Sequence, residues 1–507
     1  MNESKERKLG AILSYVSIVV NTLIQLLYTP LLIRKLGQSE YGLYSLVASI
    51  IGYLTIMDLG FGNAIIVYTS KYRAQGKVKE EQKLHGMFNL VFKIIGVITA
   101  ILGFILYLNV DYIFGSKMTD IELHKMKIMM LILSFNLFIT FAFAIYNSII
   151  SAYEKFTFQK VISIIQSLFK PLLMIPLLLL GYKSISLCII ITLTNIITVL
   201  SNYIYCKKKL KISTRFLGFD KQIFKTILVY SIWIFLGIIV DKVNWSVDNF
   251  VLGAVSGTVA VSIYSLASTL NQLFCSLSSA VSSVLLPKMS KMIAKKATNE
   301  ELTKEFIKVG RIQYYIIFLM ASGLVLVGKE FFNIWAGKGY EDAYYIALLL
   351  IIPVCIPLIQ NLGISIMQAK NMHKFRSILL ACISIANIAI SIPLAKAYGG
   401  IGAALGTGAS LLIGNGFIIN IYYYKKIGIN VFKFWKEIIK MTITFIIPLS
   451  LIILFKYFFH YNDILNIVIY GGLYSLMYCI IVYLLTMNEY EKEIINKVLY
   501  KIHLKKV

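Results

Sequence analysis

Apolar runs of about twenty residues, each long enough to cross a hydrocarbon core of roughly 30 Å, recur from one end of this chain to the other. No other feature constrains the fold as strongly. Read between charged punctuation, the runs fall near 9–34, 41–67, 87–108, 128–150, 161–181, 184–205, 229–254, 259–286, 312–328, 343–368, 377–395, 399–424, 441–459 and 464–486. The composition agrees: 58% hydrophobic and 15% charged, against about 45–50% and about 25% for a soluble domain. The bilayer is the solvent, and the expected fold is an all-α polytopic membrane protein of about fourteen transmembrane helices. The apolar stretch after MNESKERK has no small-residue cleavage site and is read as a retained first span.

The net charge of +26 does not indicate nucleic acid, because no recognition motif accompanies it. With the N-terminus inside, roughly three-quarters of the 50 lysines and arginines fall in cytoplasmic segments, as the positive-inside rule requires. Both termini are therefore expected in the cytoplasm, with anionic inner-leaflet lipids as the partner of that charge. The six cysteines form no CxxC pair and no Cys/His cluster, so neither a disulfide nor a metal site is expected. HExxH, GxSxG and P-loop patterns are absent too, which argues against an enzyme or an ATP-driven pump.

The basic segment YYYKKIGINVFKFWKEIIK places Val431, Phe434, Trp435, Ile438 and Ile439 at helical spacing opposite Lys433, Lys436, Glu437 and Lys440. That pattern predicts an interfacial amphipathic helix. Ile494, Ile495, Val498, Leu499 and Ile502 among the lysines of the tail read the same way.

An internal repeat organises the spans. Gly37 followed by Tyr44-Ser45-Leu46 recurs 220 residues later as Gly257 followed by Tyr264-Ser265-Leu266. The same offset superposes span 1 on span 7 and span 2 on span 8. Six spans per unit give two lobes of the same orientation, a parallel repeat whose substrate path lies between them. The predicted organisation is an N-lobe over 1–210, a C-lobe over 211–430, and a segment over 431–507 holding the interfacial helix, spans 13 and 14 and the basic tail.

Charges inside the membrane are costly and mark a cavity or a partner. Asn21, Gln25 and Tyr28 share a face of span 1, and the offset maps them to Asp241, Trp245 and Asp248 on span 7. Asp241 and Lys242 lie near the middle of span 7, and Lys170 lies near the middle of span 5. Either buried acid and base neutralise one another, or Lys170, Lys242 and Asp248 line a wet cationic cavity. Lys93, early in span 3, either snorkels to the inner surface or meets substrate. Arg34, at the outer end of span 1, is an interfacial anchor or a substrate contact. Asp58 in YLTIMDLGFGNAI, flanked by Gly60 and Gly62, either couples to Na⁺ or H⁺, as Asp241 could, or is satisfied by nearby backbone or a basic side chain.

The stretch TPLLIRKLGQSEYGLYSLVASIIGYLTIMDLGFGNAIIVYTSKY (29–72), with VDNFVLGAVSGTVAVSIYSLAS and LLPKMSKM further on, resembles the Wzx-type oligosaccharide flippases. These belong to the multidrug/oligosaccharidyl-lipid/polysaccharide exporter superfamily, with the lipid II flippases and the multidrug exporters. The resemblance implies a transporter that flips a polyprenyl-diphosphate-linked oligosaccharide from inner to outer leaflet by alternating access, for surface polysaccharide such as O-antigen or capsule. The anionic head group suits Lys170, Lys242 and Arg34. A polysaccharide polymerase and glycosyltransferases are the implied protein partners, and spans 13 and 14 are implied to form a groove for the lipid tail. Two other readings stay open: a cation-coupled drug exporter, against which the cavity lysines argue, and a polysaccharide polymerase or ligase, against which the short outer loops argue.

Overall fold

The computed structural model describes residues 3–283, 289, 291–293, 295–370, 372–459, 461–493 and 496. They are helical, with no strand among them. Two compact units emerge, one of residues 1–265 with 395–400, the other of 266–394 with 401–507.

The first unit contains α1 (Glu3–Leu36), α2 (Gln38–Leu54), α3 (Phe61–Ala74), α4 (Val78–Leu108), α5 (Asp120–Ala142), α6 (Ala144–Ala152), α7 (Phe156–Leu179), α8 (Ser184–Ile204), α9 (Lys221–Val255) and the first turns of α10 (Thr258–Ser283). The second contains the rest of α10, α11 (Asn299–Trp335), α12 (Glu341–Ile359), most of α13 (His373–Leu411) and α14 (Val431–Phe458), and it closes with the helical run α15 (Asp463–Thr486).

Among the described residues, twelve helical runs are long and apolar enough to cross a membrane. One of them, Phe375–Ile427, is 53 residues long and breaks at Gly399, where φ is 58° and ψ is −135°. It therefore holds two spans. Helix α10 stands where the eighth apolar run was expected. About fourteen spans result.

The lipid-facing character of these helices is visible in what they leave uncovered. Leu27, Leu172, Ile385, Ile443 and Leu476 are all exposed, which in water would cost about 1.5–3 kcal/mol each relative to burial. Inside the first unit, Leu46, Val47, Ala64, Ile65, Phe88, Phe92, Ile145 and Ile149 form a core of fully covered side chains.

The repeat has a backbone counterpart. Gly37 and Gly257 both sit at φ +83°, each immediately before the helix that carries its Tyr-Ser-Leu. Only glycine occupies that region without strain. A Cβ built on Gly42 would come 1.8 Å from the carbonyl oxygen of Thr258, so α2 and the start of α10 meet backbone to backbone. Glu122 of α5 joins them, accepting from Ser39 Oγ at 2.5 Å and from Thr258 Oγ1 at 2.8 Å. Long helices begin on capping boxes at Thr119/Glu122 and Thr298/Glu301, which satisfy amides that have no partner inside the helix.

Spans 13 and 14 pack on α11 rather than standing alone. Phe318 of α11 lies 5.4 Å from Phe445 of α14, and Phe445 lies 4.7 Å from Tyr478 of α15, centroid to centroid. The predicted interfacial helix is not a separate element. Val431 to Lys440 are the first turns of the unbroken 28-residue α14, because Val431, Phe434 and Ile438 are buried against the second unit and tertiary packing continues the helix. The tail positions Ile494, Ile495, Val498, Leu499 and Ile502 lie outside the described residues.

Candidate functional site

Asp58 stands at a break in the second span. Helix α2 gives way to a 3-10 turn over Thr55–Asp58, then Leu59 (φ 53°) and Gly60 (φ 75°) both adopt left-handed backbone before α3 starts at Phe61. A left-handed leucine costs roughly 1–2 kcal/mol, so the surrounding packing holds it there. A Cβ on Gly60 would sit 2.9 Å from Ile234 Cβ and 3.0 Å from the carbonyl oxygen of Ser231. Helix α9 can approach the break only because that atom is missing.

The break frees backbone amides at the start of α3, and the Asp58 carboxylate lies beside those of Gly60 and Gly62. Among the described residues no lysine or arginine pairs with it. It lines instead a cavity of about 410 Å³ inside the first unit, together with Asn63, Asn147, Ser148, Asn195 and Asn202. Gly62 keeps the floor open: the position of its absent Cβ is 3.5 Å from Asp58 Oδ1 and 3.5 Å from Ser148 Oγ. The far wall is cross-tied, since Asn195 Nδ2 donates to Asn136 Oδ1 and to Thr140 Oγ1, each at 2.7 Å. One carboxylate among amide and hydroxyl oxygens is a hard, singly charged donor set, which suits a monovalent cation or a proton better than a divalent ion. No cluster of three or more His, Cys, Asp or Glu side chains that could hold a metal occurs among the described residues.

The neutral members of this cavity escaped the sequence reading. Their signal was present, because Asn195, Thr198 and Asn202 recur at i, i+3 and i+7 in an apolar helix, but neutral polar residues carry less weight there than charges.

The two mid-membrane lysines are both half-buried, Lys170 on α7 and Lys242 on α9. Neither makes an ion pair or hydrogen bond among the described residues, and no such bond joins them to each other. Lys242 Nζ lies against α2, 3.9 Å from where a Cβ on Gly52 would be. The backbone of Asp241 belongs to α9, but its side chain lies outside the described residues.

Asp248 is 3% exposed and accepts a hydrogen bond from Tyr264, the tyrosine of the second repeat. Its neighbour Asn249 donates to Ser49 Oγ at 2.9 Å and accepts from Ser265 Oγ at 3.1 Å. This stretch of α9 is thus bound into the packing of α2 and α10. Lys93 is exposed on α4, and Arg34 is exposed in the last turn of α1. Asn21 donates to Ser17 Oγ within α1.

Comparison with known proteins adds independent findings. The model of the polysaccharide biosynthesis protein family matches residues 9–293. A Shigella flexneri protein whose name proposes it as an O-antigen transporter is 23% identical over 398 residues, covering 76% of this chain and 90% of that protein. Among solved structures, the lipid II flippase MurJ in an inward closed conformation superposes with a TM-score of 0.73 at 19% identity, over 94% of this chain and 98% of that one. An inward-facing multidrug resistance transporter of the MATE family gives 0.61 at 13%, over 81% and 99%.

Proposed function

Because the chain belongs to the polysaccharide biosynthesis protein family, we propose that it is a multi-pass flippase carrying a polyprenyl-diphosphate-linked oligosaccharide from the inner to the outer leaflet. The observation that carries this reading is the pair of half-buried lysines, Lys170 and Lys242, without anionic partners among the described residues of the first unit. An unpaired ammonium at membrane depth is costly, and a diphosphate passing through would offset that cost with charge-assisted hydrogen bonds. The O-antigen transporter name of the Shigella relative and the lipid II flippase fold support a lipid-linked sugar as cargo.

No covalent step is required. Two lobes that alternate access need only a head-group site and a source of bias. That bias comes from a cation at Asp58: Na⁺ or H⁺ would enter the 410 Å³ cavity, neutralise the carboxylate and change what α3 and α9 gain by packing at the Gly60 break. Asp248 serves as a packing group through Tyr264, and Arg34 and Lys93 act at the two membrane surfaces. Both termini face the cytoplasm, where the basic loops meet anionic lipid and where glycosyltransferases would deliver the substrate; a polymerase would take it on the other side. A drug exporter selecting cationic compounds fits two unpaired lysines poorly.

The test is reconstitution into liposomes with a fluorescent lipid-linked oligosaccharide whose leaflet is read by a membrane-impermeant reductant. Lys170→Gln and Lys242→Gln are each expected to slow flipping at least tenfold, the equivalent of losing about 1.4 kcal/mol, while Lys93→Gln retains most of the rate. Unchanged flipping in the Lys170→Gln/Lys242→Gln double variant would overturn the head-group assignment.

A further inference from the structure

The sequence LLIGNGFIINIYYYKKIGINVFKFW departs from ordinary helix geometry twice, over Leu412–Ile418 and Tyr423–Ile427, where the backbone winds as π-helix. These turns border a cavity of about 620 Å³ in the second unit, lined by α12, the 412–427 run and the first turns of α14.

Its walls are hydrocarbon and aromatic, with Ile356, Leu412, Phe417 and Phe432 among them. The one amide in the wall, Asn420, has its hydrogen-bonding capacity taken up. Its Oδ1 accepts from Gln360 Nε2 at 2.8 Å and from Trp435 Nε1 at 3.0 Å, while its Nδ2 donates to the carbonyls of Asn415 and Gly416. The polar groups of the lining left to meet a ligand are the Tyr424 hydroxyl and Lys425, the single charged residue among them. Lys425 is exposed and makes no ion pair or hydrogen bond among the described residues. Lys426, Lys433, Lys436 and Lys440 are exposed on the same two segments, and the carboxylate of Glu437 on α14 is engaged by Arg311 at 2.8 Å. The rings of Tyr424 and Phe432 meet edge to face at 5.2 Å beside the mouth, and Phe432 is 70% exposed, as aromatic residues at a membrane interface are.

An apolar chamber ending in unpaired positive charge, on the face where the basic loops collect, matches one occupant. We propose that the cavity between α12, the 412–427 run and α14 is a binding site for an anionic diacyl phospholipid of the inner leaflet. One acyl chain fills the chamber and the phosphodiester lies against Lys425. The bound lipid fastens the 412–427 run to α14, so it acts as a structural ligand of the second unit. This assignment does not depend on the flippase reading.

The experiment uses the purified full chain in detergent, with phosphatidylglycerol or phosphatidylcholine of matched acyl chains added back. Bound lipid is counted by native mass spectrometry, and stability is followed by thermal unfolding. A basic residue near the surface contributes about 1 kcal/mol toward anionic lipid, so phosphatidylglycerol is expected to be held about fivefold more tightly than phosphatidylcholine and to raise the melting temperature more. Lys425→Gln removes an exposed charge and should bring the two lipids close to parity. Gly416→Leu narrows the chamber, since a Cβ there makes only an ordinary 3.6 Å contact with Ile356 Cδ1, and should reduce the tightly held lipid of either kind. Gly323→Leu, at a position with nothing within 4 Å, is the control and should leave lipid binding unchanged. An undiminished preference for phosphatidylglycerol in Lys425→Gln overturns the proposal. So does full lipid retention in Gly416→Leu, or displacement of phosphatidylglycerol by an equimolar polyprenyl phosphate, which would assign the chamber to the transported lipid.

Discussion

Replacing Arg311 with methionine should release the C-terminal segment from the second unit while leaving the first unit intact. Arg311 sits in α11, 7% exposed. Its Nε and Nη2 grip the two oxygens of Glu491 at 2.8 and 2.9 Å, Nη1 reaches Glu437 Oε2 at 2.8 Å, and Nη2 also donates to the Thr486 carbonyl at 2.7 Å. Lys308, one turn away, covers the ring of Tyr490 at 3.4 Å. Glu437 is 41% exposed in its side chain, so that arm is screened and contributes little. Glu491 is different, because it is 3% exposed. Removing its partner strands a buried carboxylate, at a cost of about 3–5 kcal/mol. If that energy holds residues 487–493 in place, amide exchange there should accelerate by about two to three and a half orders of magnitude in Arg311→Met. Hydrogen-exchange mass spectrometry in detergent measures it. Arg311→Met/Glu491→Gln should regain most of the protection, since no unpaired charge remains. Unchanged exchange in the single variant, or a double variant as open as the single, would refute the reasoning.

Acidification should open the same clasp. Burial alone would raise the Glu491 carboxyl, but hydrogen bonds from Arg311, the Asn488 amide and Tyr315 hold it below the ordinary glutamate range. The stabilisation is therefore complete above the unfolded value of about 4.3 and is lost as pH falls through the lower folded value, so protection of 487–493 should be flat from pH 8 to 5 and collapse only in stronger acid. Gly42→Ala should lower the melting temperature sharply, at a cost of about 3 kcal/mol or more from overpacking against the Thr258 carbonyl. Gly237→Ala, with nothing within 4 Å, should be neutral or mildly stabilising by up to about 1 kcal/mol. Asp58→Asn keeps an acceptor oxygen beside the Gly60 and Gly62 amides and should fold normally, yet flipping should lose its dependence on a Na⁺ or H⁺ gradient; a full response to both gradients would sink the coupling role. Gly62→Ala should place a methyl between Asp58 and Ser148 and weaken cation dependence about tenfold, the equivalent of ~1.4 kcal/mol, with little change in melting.

The sequence by itself determined the solvent and the approximate number of spans. Hydrophobic length is a local property, and a bilayer reads it directly. The paired glycines were legible for a related reason: Gly37 and Gly257 share φ +83°, a local demand that only glycine meets cheaply. Asp58 was legible as an expensive charge with glycines beside it, and the unwinding those glycines permit is what the fold contains.

Tertiary structure decided the rest. The Asp58 cavity gathers side chains from α3, α5, α6 and α8, and no spacing rule brings Asn63, Asn147 and Asn195 to one wall. Arg311, Glu437 and Glu491 are 126 and 180 residues apart in pairing, so a basic tail that reads as a membrane anchor begins with a residue clasped to α11. The amphipathic stretch at Val431 has the pattern of an interfacial helix, yet burial of Phe434 and Ile438 fuses it to the span that follows. Periodicity tells which face is apolar, but whether lipid or protein covers that face depends on what the rest of the chain brings to it.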